Sequence, residues 1–231
     1  MNKHKPMPKT DRRGFLGSVA SGAAAIGLSA LATPISVATA ESLPQDTDIE
    51  AWFAGIKGKH KMVFDVTQPH GIYPFAWPRV FLMTNEMTGA MGKDCNAVVV
   101  LRHEAIPYAF EDRLWTKYKF GEVFKAEDPA TKAPALRNPF AKPKLDEYKV
   151  PGAGTVLIGI NELQESGVMF CVCGMAITVF TTRVAQGMNM DPVEVKKDWL
   201  SGLLPGIKVV PSGVWAVGRA QERGCGYCFA G

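Results

Sequence analysis

The sequence predicts a single α/β domain over residues 41–231, with a mainly parallel sheet of about five strands and helices on both faces. Three observations predict it. Short apolar runs alternate with segments of helical periodicity from Lys61 to Phe229. The run "CNAVVVLRH" (Cys95–His103) is apolar on both faces, as in a parallel strand covered on each side. Proline and aspartate open the helical segments and glycine closes them, so each element has a start and a stop.

The elements follow in order. "DTDIEAWFAGIKG" reads as a short lead-in helix, and "KMVFDVT" (Lys61–Thr67) as a buried first strand after a polar cluster. "AWPRVFLMTNEMTGAMG" has helical spacing and stops at Gly92. The second strand is Cys95–His103, and "PYAFEDRLWTK" is a helix opened by Pro107. Residues 118–152, rich in Pro, Lys and Ala and without clear period, read as a long loop, either a functional flap or a solvated insertion. "GTVLIGINELQESG" reads as a helix, "VMFCV" as a strand and "GMAITVFTTRVAQGMN" as a helix. Asp191 caps "PVEVKKDWLSGLL", with Pro192 in the first turn. "GIKVVP" is a strand, "SGVWAVGRAQERG" a helix closed by Gly224, and "CGYCFA" a last short strand. There is no internal repeat.

Residues 1–40 stand apart. "KTDRRGFLG" carries Arg12 and Arg13 ahead of Phe15 and Leu16; an Ala/Gly/Ser-rich apolar run follows and ends in "ATA" at Ala38–Ala40. A basic start, an apolar middle and a small-x-small site make a secretory signal cleaved after Ala40. The twin arginine resembles the Tat export signal, which implies the Tat translocase as a partner and a periplasmic protein. The run is too glycine-rich and too weakly apolar for a membrane anchor. Lys3, Lys5, Lys9, Arg12 and Arg13 against Asp11 account for the whole chain's net charge of +4, so residues 41–231 are neutral overall. Nucleic acid and anionic lipid are therefore not expected partners, and no membrane contact is expected after cleavage. Five cysteines in an exported chain permit disulfides, and the odd number leaves at least one thiol free, modified or paired between chains.

The chemistry gathers in "GVMFCVCGMA" (Gly167–Ala176). Cys173 falls where a strand ends and a helix begins, with Gly174 next. Ligands of open α/β sheets bind beyond the carboxyl ends of the strands, and the unpaired N–H groups of the next helix favour a thiolate there. The alternative is an inert buried cysteine. Cys171, two residues earlier, is expected on the same face as Cys173, as a resolving thiol or a small core residue. Cys225 and Cys228 form a C-x-x-C pair, a redox or metal spacing, but three residues apart on a strand they face opposite ways. His103 ends the second strand. With a strand order of 2-1-3-4-5, the strands carrying His103 and Cys173 would flank the first strand and share its rim, where His103 can serve as a base, a metal ligand or a hydrogen-bond partner. "QPHGIYPFAW" (Gln68–Trp77) overhangs that rim. Tyr73, Phe75, Trp77, Phe120, Phe124 and Phe140, all placed in loops, are expected as exposed apolar surface and hence as subunit contacts.

"VMFCVCGMAI" and "LLPGIKVVPSGVWAVGRAQERGCGY" together resemble the DsrE/DsrF-like family of sulfur-relay proteins, and "AVVVLRHEAIPYAFED" resembles that family's second strand and helix more loosely. The resemblance covers most of residues 60–230 and leaves out the 118–152 segment. It implies a flavodoxin-like α/β sandwich, a homo-oligomer, and a persulfide carried on Cys173, with donor and acceptor proteins or small thiols as partners. Cys171 is a departure, since the family pattern needs only the second cysteine. The function expected is an exported thiol protein that binds or relays sulfane sulfur, with catalytic candidates Cys173, Cys171 and His103 and no resident cofactor. The alternative is a non-catalytic binding module for a thiophilic metal or small ligand, using Cys173, His103 and Met175.

Overall fold

The computed structural model describes residues 46–231, and side chains from residue 48 onward. The expected signal segment and its twin arginine lie outside the described residues. The described part is a three-layer α/β sandwich of flavodoxin-like architecture.

After helix α1 (Asp46–Phe53), strand β1 spans His60–Val66, helix α2 Tyr73–Met87 and strand β2 Cys95–Leu101. A 3₁₀ segment (His103–Ala109), α3 (Asp112–Tyr118) and the single turn α4 (Phe120–Val123) follow. A small hairpin pairs β3 (Lys149–Val150) with β4 (Gly154–Thr155), and α5 covers Ile160–Glu165. Then come β5 (Met169–Cys173), α6 (Gly174–Met188), α7 (Pro192–Ser201), β6 (Ile207–Val210), α8 (Gly213–Glu222) and β7 (Gly226–Phe229). The helix expected over 154–167 is shorter, because Gly154 and Thr155 pair as strand. The one expected from Pro107 is split into a 3₁₀ turn and α3.

The main sheet is fully parallel in the order β6-β5-β2-β1-β7. This corrects the expected 2-1-3-4-5 order: the strands carrying Cys173 and His103 are neighbours, with Leu101 opposite Val172, and do not flank β1. Each of the first three crossovers steps the same way across the sheet, and right-handed connections then put α2 to α7 on one face. The connection from β6 returns across the sheet to the far side of β1, which puts α8 on the other face. The buried side chains divide accordingly. Phe64, Val66, Val99, Leu101, Phe170 and Val172 pack against α2 to α7, whereas Val63, Val98, Val100 and Cys171 pack against Ile49 and Phe53 of α1 and Ala216 and Ala220 of α8.

Residues 118–152 carry little regular structure and much of the segment is exposed, yet it anchors several buried side chains in the larger core. Asn138 is 1% exposed; its side-chain amide donates to the carbonyls of Tyr108 and Phe110 (2.9 Å each), and its side-chain oxygen accepts from Phe140 N–H at 3.1 Å. Phe120 and Phe124 close on Trp199, and Phe140 lies between Phe75 (4.4 Å between centroids) and Tyr148. Phe75, Phe120, Phe124 and Phe140 are therefore buried, contrary to the expected exposed patch, because the segment hydrogen-bonds its own backbone while its aromatics fill the larger core. Tyr73 and Trp77 are exposed and stack on one another 5.1 Å apart.

Candidate functional site

β5 and β6 are adjacent, but the chain leaves them in opposite directions, to α6 on one face and α8 on the other. That divergence is a topological switch point, the place where open α/β sheets bind ligands. Cys173 ends β5 there. The two turns pack closely there: Met175 N–H donates to the Pro211 carbonyl at 3.1 Å, and a Cβ on Gly174 would lie 2.9 Å from the Val210 carbonyl oxygen. Glycine is what lets the two turns touch.

Cys173 is the N-cap of α6, and its Sγ accepts from Ala176 N–H at 3.3 Å. The sulfur thus occupies the position of a capping oxygen, at the positive end of a fifteen-residue helix. Ser212 caps α8 from the other turn, accepting from Trp215 N–H at 3.2 Å. Two helix amino termini therefore lie side by side at the carboxyl ends of β5 and β6. Cys173 is 7% exposed, close to the surface but largely covered.

The same rim carries a polar network that sequence reading left without a task. Asp65, the second-last residue of β1, is 2% exposed. Arg102, one residue beyond β2, donates to it from Nε (2.6 Å to Oδ1) and Nη2 (2.8 Å to Oδ2), and the Tyr227 hydroxyl of β7 donates to Oδ2 at 2.9 Å. The hydrogen bond to Asp65 raises the Arg102 pKa, outweighing burial, with attraction to Asp65, Tyr227 and Cys173 adding to it. Burial, and next the hydrogen bond to Asp65, push the Tyr227 hydroxyl up. A charged residue inside the apolar run "KMVFDVT" was the signal available in the sequence for this network.

The other expected site residues fall differently. Cys171 and Cys173 do not share surroundings: Cys171 is sealed in the smaller core, while Cys173 packs with the larger one, because the chain turns into α6 and its sulfur follows the cap. Burial, and then the neighbouring Cys173, push the Cys171 thiol strongly up. His103 is exposed, in a left-handed conformation (φ 51°), with its ring edge-on to Phe180. Among the described residues it makes no hydrogen bond to Cys173. Cys225 belongs to the smaller core and Cys228 packs on the larger, the opposite facing their spacing predicted. All five cysteines are free thiols. Met175 is exposed, and among the described residues no three His, Cys, Asp or Glu side chains are grouped to hold a metal ion.

No protein-family model matches the chain, and no curated protein does. Among solved structures the chain is similar to a protein of unknown function, MTH1491, from Methanobacterium thermoautotrophicum, at 19% identity and a TM-score of 0.33, over 74% of this chain and 98% of that one.

Proposed function

We propose that this chain is an exported thiol protein, similar to the DsrE/DsrF-like family, that accepts sulfane sulfur as a persulfide on Cys173 and passes it on. The observation that carries the reading is Cys173 capping α6 at the switch point between β5 and β6. Thiolates are the attacking species in such transfers, and a helix amino terminus favours them.

In the transfer, the Cys173 thiolate attacks the outer sulfur of a donor persulfide. A new S–S bond forms on Cys173 as the donor S–S bond breaks, and the electron pair leaves with the donor as its thiolate. Delivery is the same exchange in reverse order: an acceptor thiolate takes the outer sulfur and Cys173 returns as thiolate. No net oxidant or reductant is consumed. Cys171, sealed in the smaller core, is outside this chemistry.

Two further parts of the reading accompany it. Arg12 and Arg13 direct Tat export to the periplasm. The chain also self-associates, through an apolar stripe of Tyr73, Trp77, Val80 and Met87 exposed along α2.

The test is incubation of the protein with a small-molecule persulfide, followed by mass spectrometry of the intact chain and its peptides. Wild type is expected to gain one sulfur on the peptide holding Cys173, and Cys173→Ser to gain none. Equal loading of the serine variant would overturn the reading.

A further inference from the structure

We infer that Arg102 is a positioning residue for Cys173, a fixed positive charge that holds the thiolate, and the persulfide anion formed on it, at the rim of the sheet. The inference rests on the reading of Cys173 as the sulfur-carrying thiol and adds to it a preference for anionic donors.

Register brings the two residues together. Leu101 pairs with Val172 on adjacent parallel strands, so Arg102 and Cys173 are the next positions along the same two strands. Adjacent strands run about 4.8 Å apart. Both residues lie at the carboxyl-end rim of the sheet, Arg102 just past the end of β2 and Cys173 at the end of β5.

The guanidinium is not free to swing. Its Nε and Nη2 are both held by one carboxylate, and that carboxylate is itself fixed by the Tyr227 hydroxyl. Its stem lies across the start of α8: a Cβ on Gly213 would fall 2.5 Å from Arg102 Cβ and 2.8 Å from its Cδ. Glycine at that point is what leaves room for the arginine. The two-pronged bond takes two of the five N–H donors of the guanidinium, and Nη1 lies outside it. The arginine side chain is 27% exposed against 4% for Asp65, so the charge of the pair is open to the solvent at its arginine end. A buried carboxylate, a fork-shaped cation and a tyrosine are more than a simple surface ion pair requires, and lysine cannot reproduce the fork.

This assigns each residue of the network a task in the transfer. Asp65 and Tyr227 hold Arg102, and Arg102 holds the charge. In the transfer written above, negative charge enters with a persulfide donor, sits on the Cys173 persulfide and leaves with the donor thiolate. A fixed guanidinium offsets it throughout without taking or giving a proton.

The experiment compares alkylation of Cys173 by two reagents of equal size, anionic iodoacetate and neutral iodoacetamide, on the full chain, with the site of labelling read by peptide mass spectrometry. A structural role alone changes both rates together, whereas a positioned charge changes their ratio. Arg102→Gln is expected to lower the iodoacetate-to-iodoacetamide rate ratio on the order of fivefold, and Arg102→Lys to restore part of it. Removing one partner of a buried pair can unfold a protein, so Asp65→Asn/Arg102→Gln, which removes both charges, is measured alongside with a circular dichroism melt. It is expected to show the same loss of ratio. An unchanged ratio in folded Arg102→Gln or in the double variant overturns the inference. Sulfur loading of Cys173 with an unchanged ratio removes the role of Arg102 and leaves the sulfur reading standing. A changed ratio with no sulfur loading does the reverse, and a Cys173 inert to both reagents overturns both.

Discussion

Arg102 and Asp65, at the carboxyl ends of adjacent parallel strands, are joined by two hydrogen bonds of 2.6 and 2.8 Å, and the Tyr227 hydroxyl closes on the same carboxylate. Three strands, β1, β2 and β7, thus meet in one part-buried ion pair, one strand away from the thiol of β5.

The five thiols should differ sharply in reactivity. Cys173 sits at a helix amino terminus at the rim, and burial pushes the thiols of Cys171, Cys225 and Cys228 up. Brief iodoacetamide treatment of native protein is expected to label Cys173 first, and Cys171 only after unfolding. Peptide mass spectrometry over a time course checks the order, and early labelling of Cys171 would contradict the burial described for it.

Gly213→Ala tests the close approach of α8 to Arg102. The added methyl meets the arginine stem at 2.5 Å, so either the side chain or the turn must shift. A cost of about 1–3 kcal/mol is expected in chemical denaturation, together with slower alkylation of Cys173. A variant as stable and reactive as wild type would show that the turn has slack.

Phe140→Ala tests whether residues 118–152 are core. Its ring is fully buried between Phe75 and Tyr148, so the loss should be about 3–5 kcal/mol. A flap would give a change near zero.

Asp198 links α7 to α3, accepting from Arg113 and Lys117 and from the Tyr118 hydroxyl (2.6 Å). Burial works to raise its carboxyl, but these hydrogen bonds outweigh it and hold the group well below the usual carboxylate range. The folded-state value is depressed, so the stabilisation is present above the unfolded value of about 3.9 and is lost as pH falls through the folded one. Asp198→Asn is expected to lower the neutral-pH melting temperature by about 2–4 °C, since partly exposed partners screen the effect. The difference from wild type should shrink as pH drops below about 4. A difference that persists undiminished in acid would assign it to packing.

The export reading is checked in cells. Replacing Arg12 and Arg13 together by lysine should leave precursor in the cytoplasm, seen by fractionation and immunoblotting, whereas normal periplasmic accumulation would remove the Tat assignment.

Elements were legible where local pattern determines them. The runs around Val98–Val100 and Phe170–Val172 can only be covered strands, and Asp191-Pro192 starts a helix wherever it falls. Strand order was not legible, because periodicity marks an element without saying which neighbour it takes. The buried aromatics of 118–152 were not legible for a related reason: Phe120 and Phe124 sit on a single helical turn too short to show a period, and Phe140 is held by the loop hydrogen bonds of Asn138. At the site, Cys173 could be read from its place between strand and helix. Arg102 could not, since its meaning depends on Asp65 and Tyr227, which only the sheet order brings beside it.

Tyr227 follows Asp65 by 162 residues, and β7 is the strand that covers the outer edge of β1. A chain made from its amino terminus at about 5–20 residues per second must therefore hold β1 with one open edge for on the order of ten seconds while the intervening strands are synthesised. Throughout that interval the edge offers unpaired backbone groups to any passing strand, and Asp65 waits for its tyrosine. Timing during synthesis, rather than the energy of the finished fold, is where this architecture is most exposed to error, and a chaperone that shields β1 would act before the rim of the sheet exists.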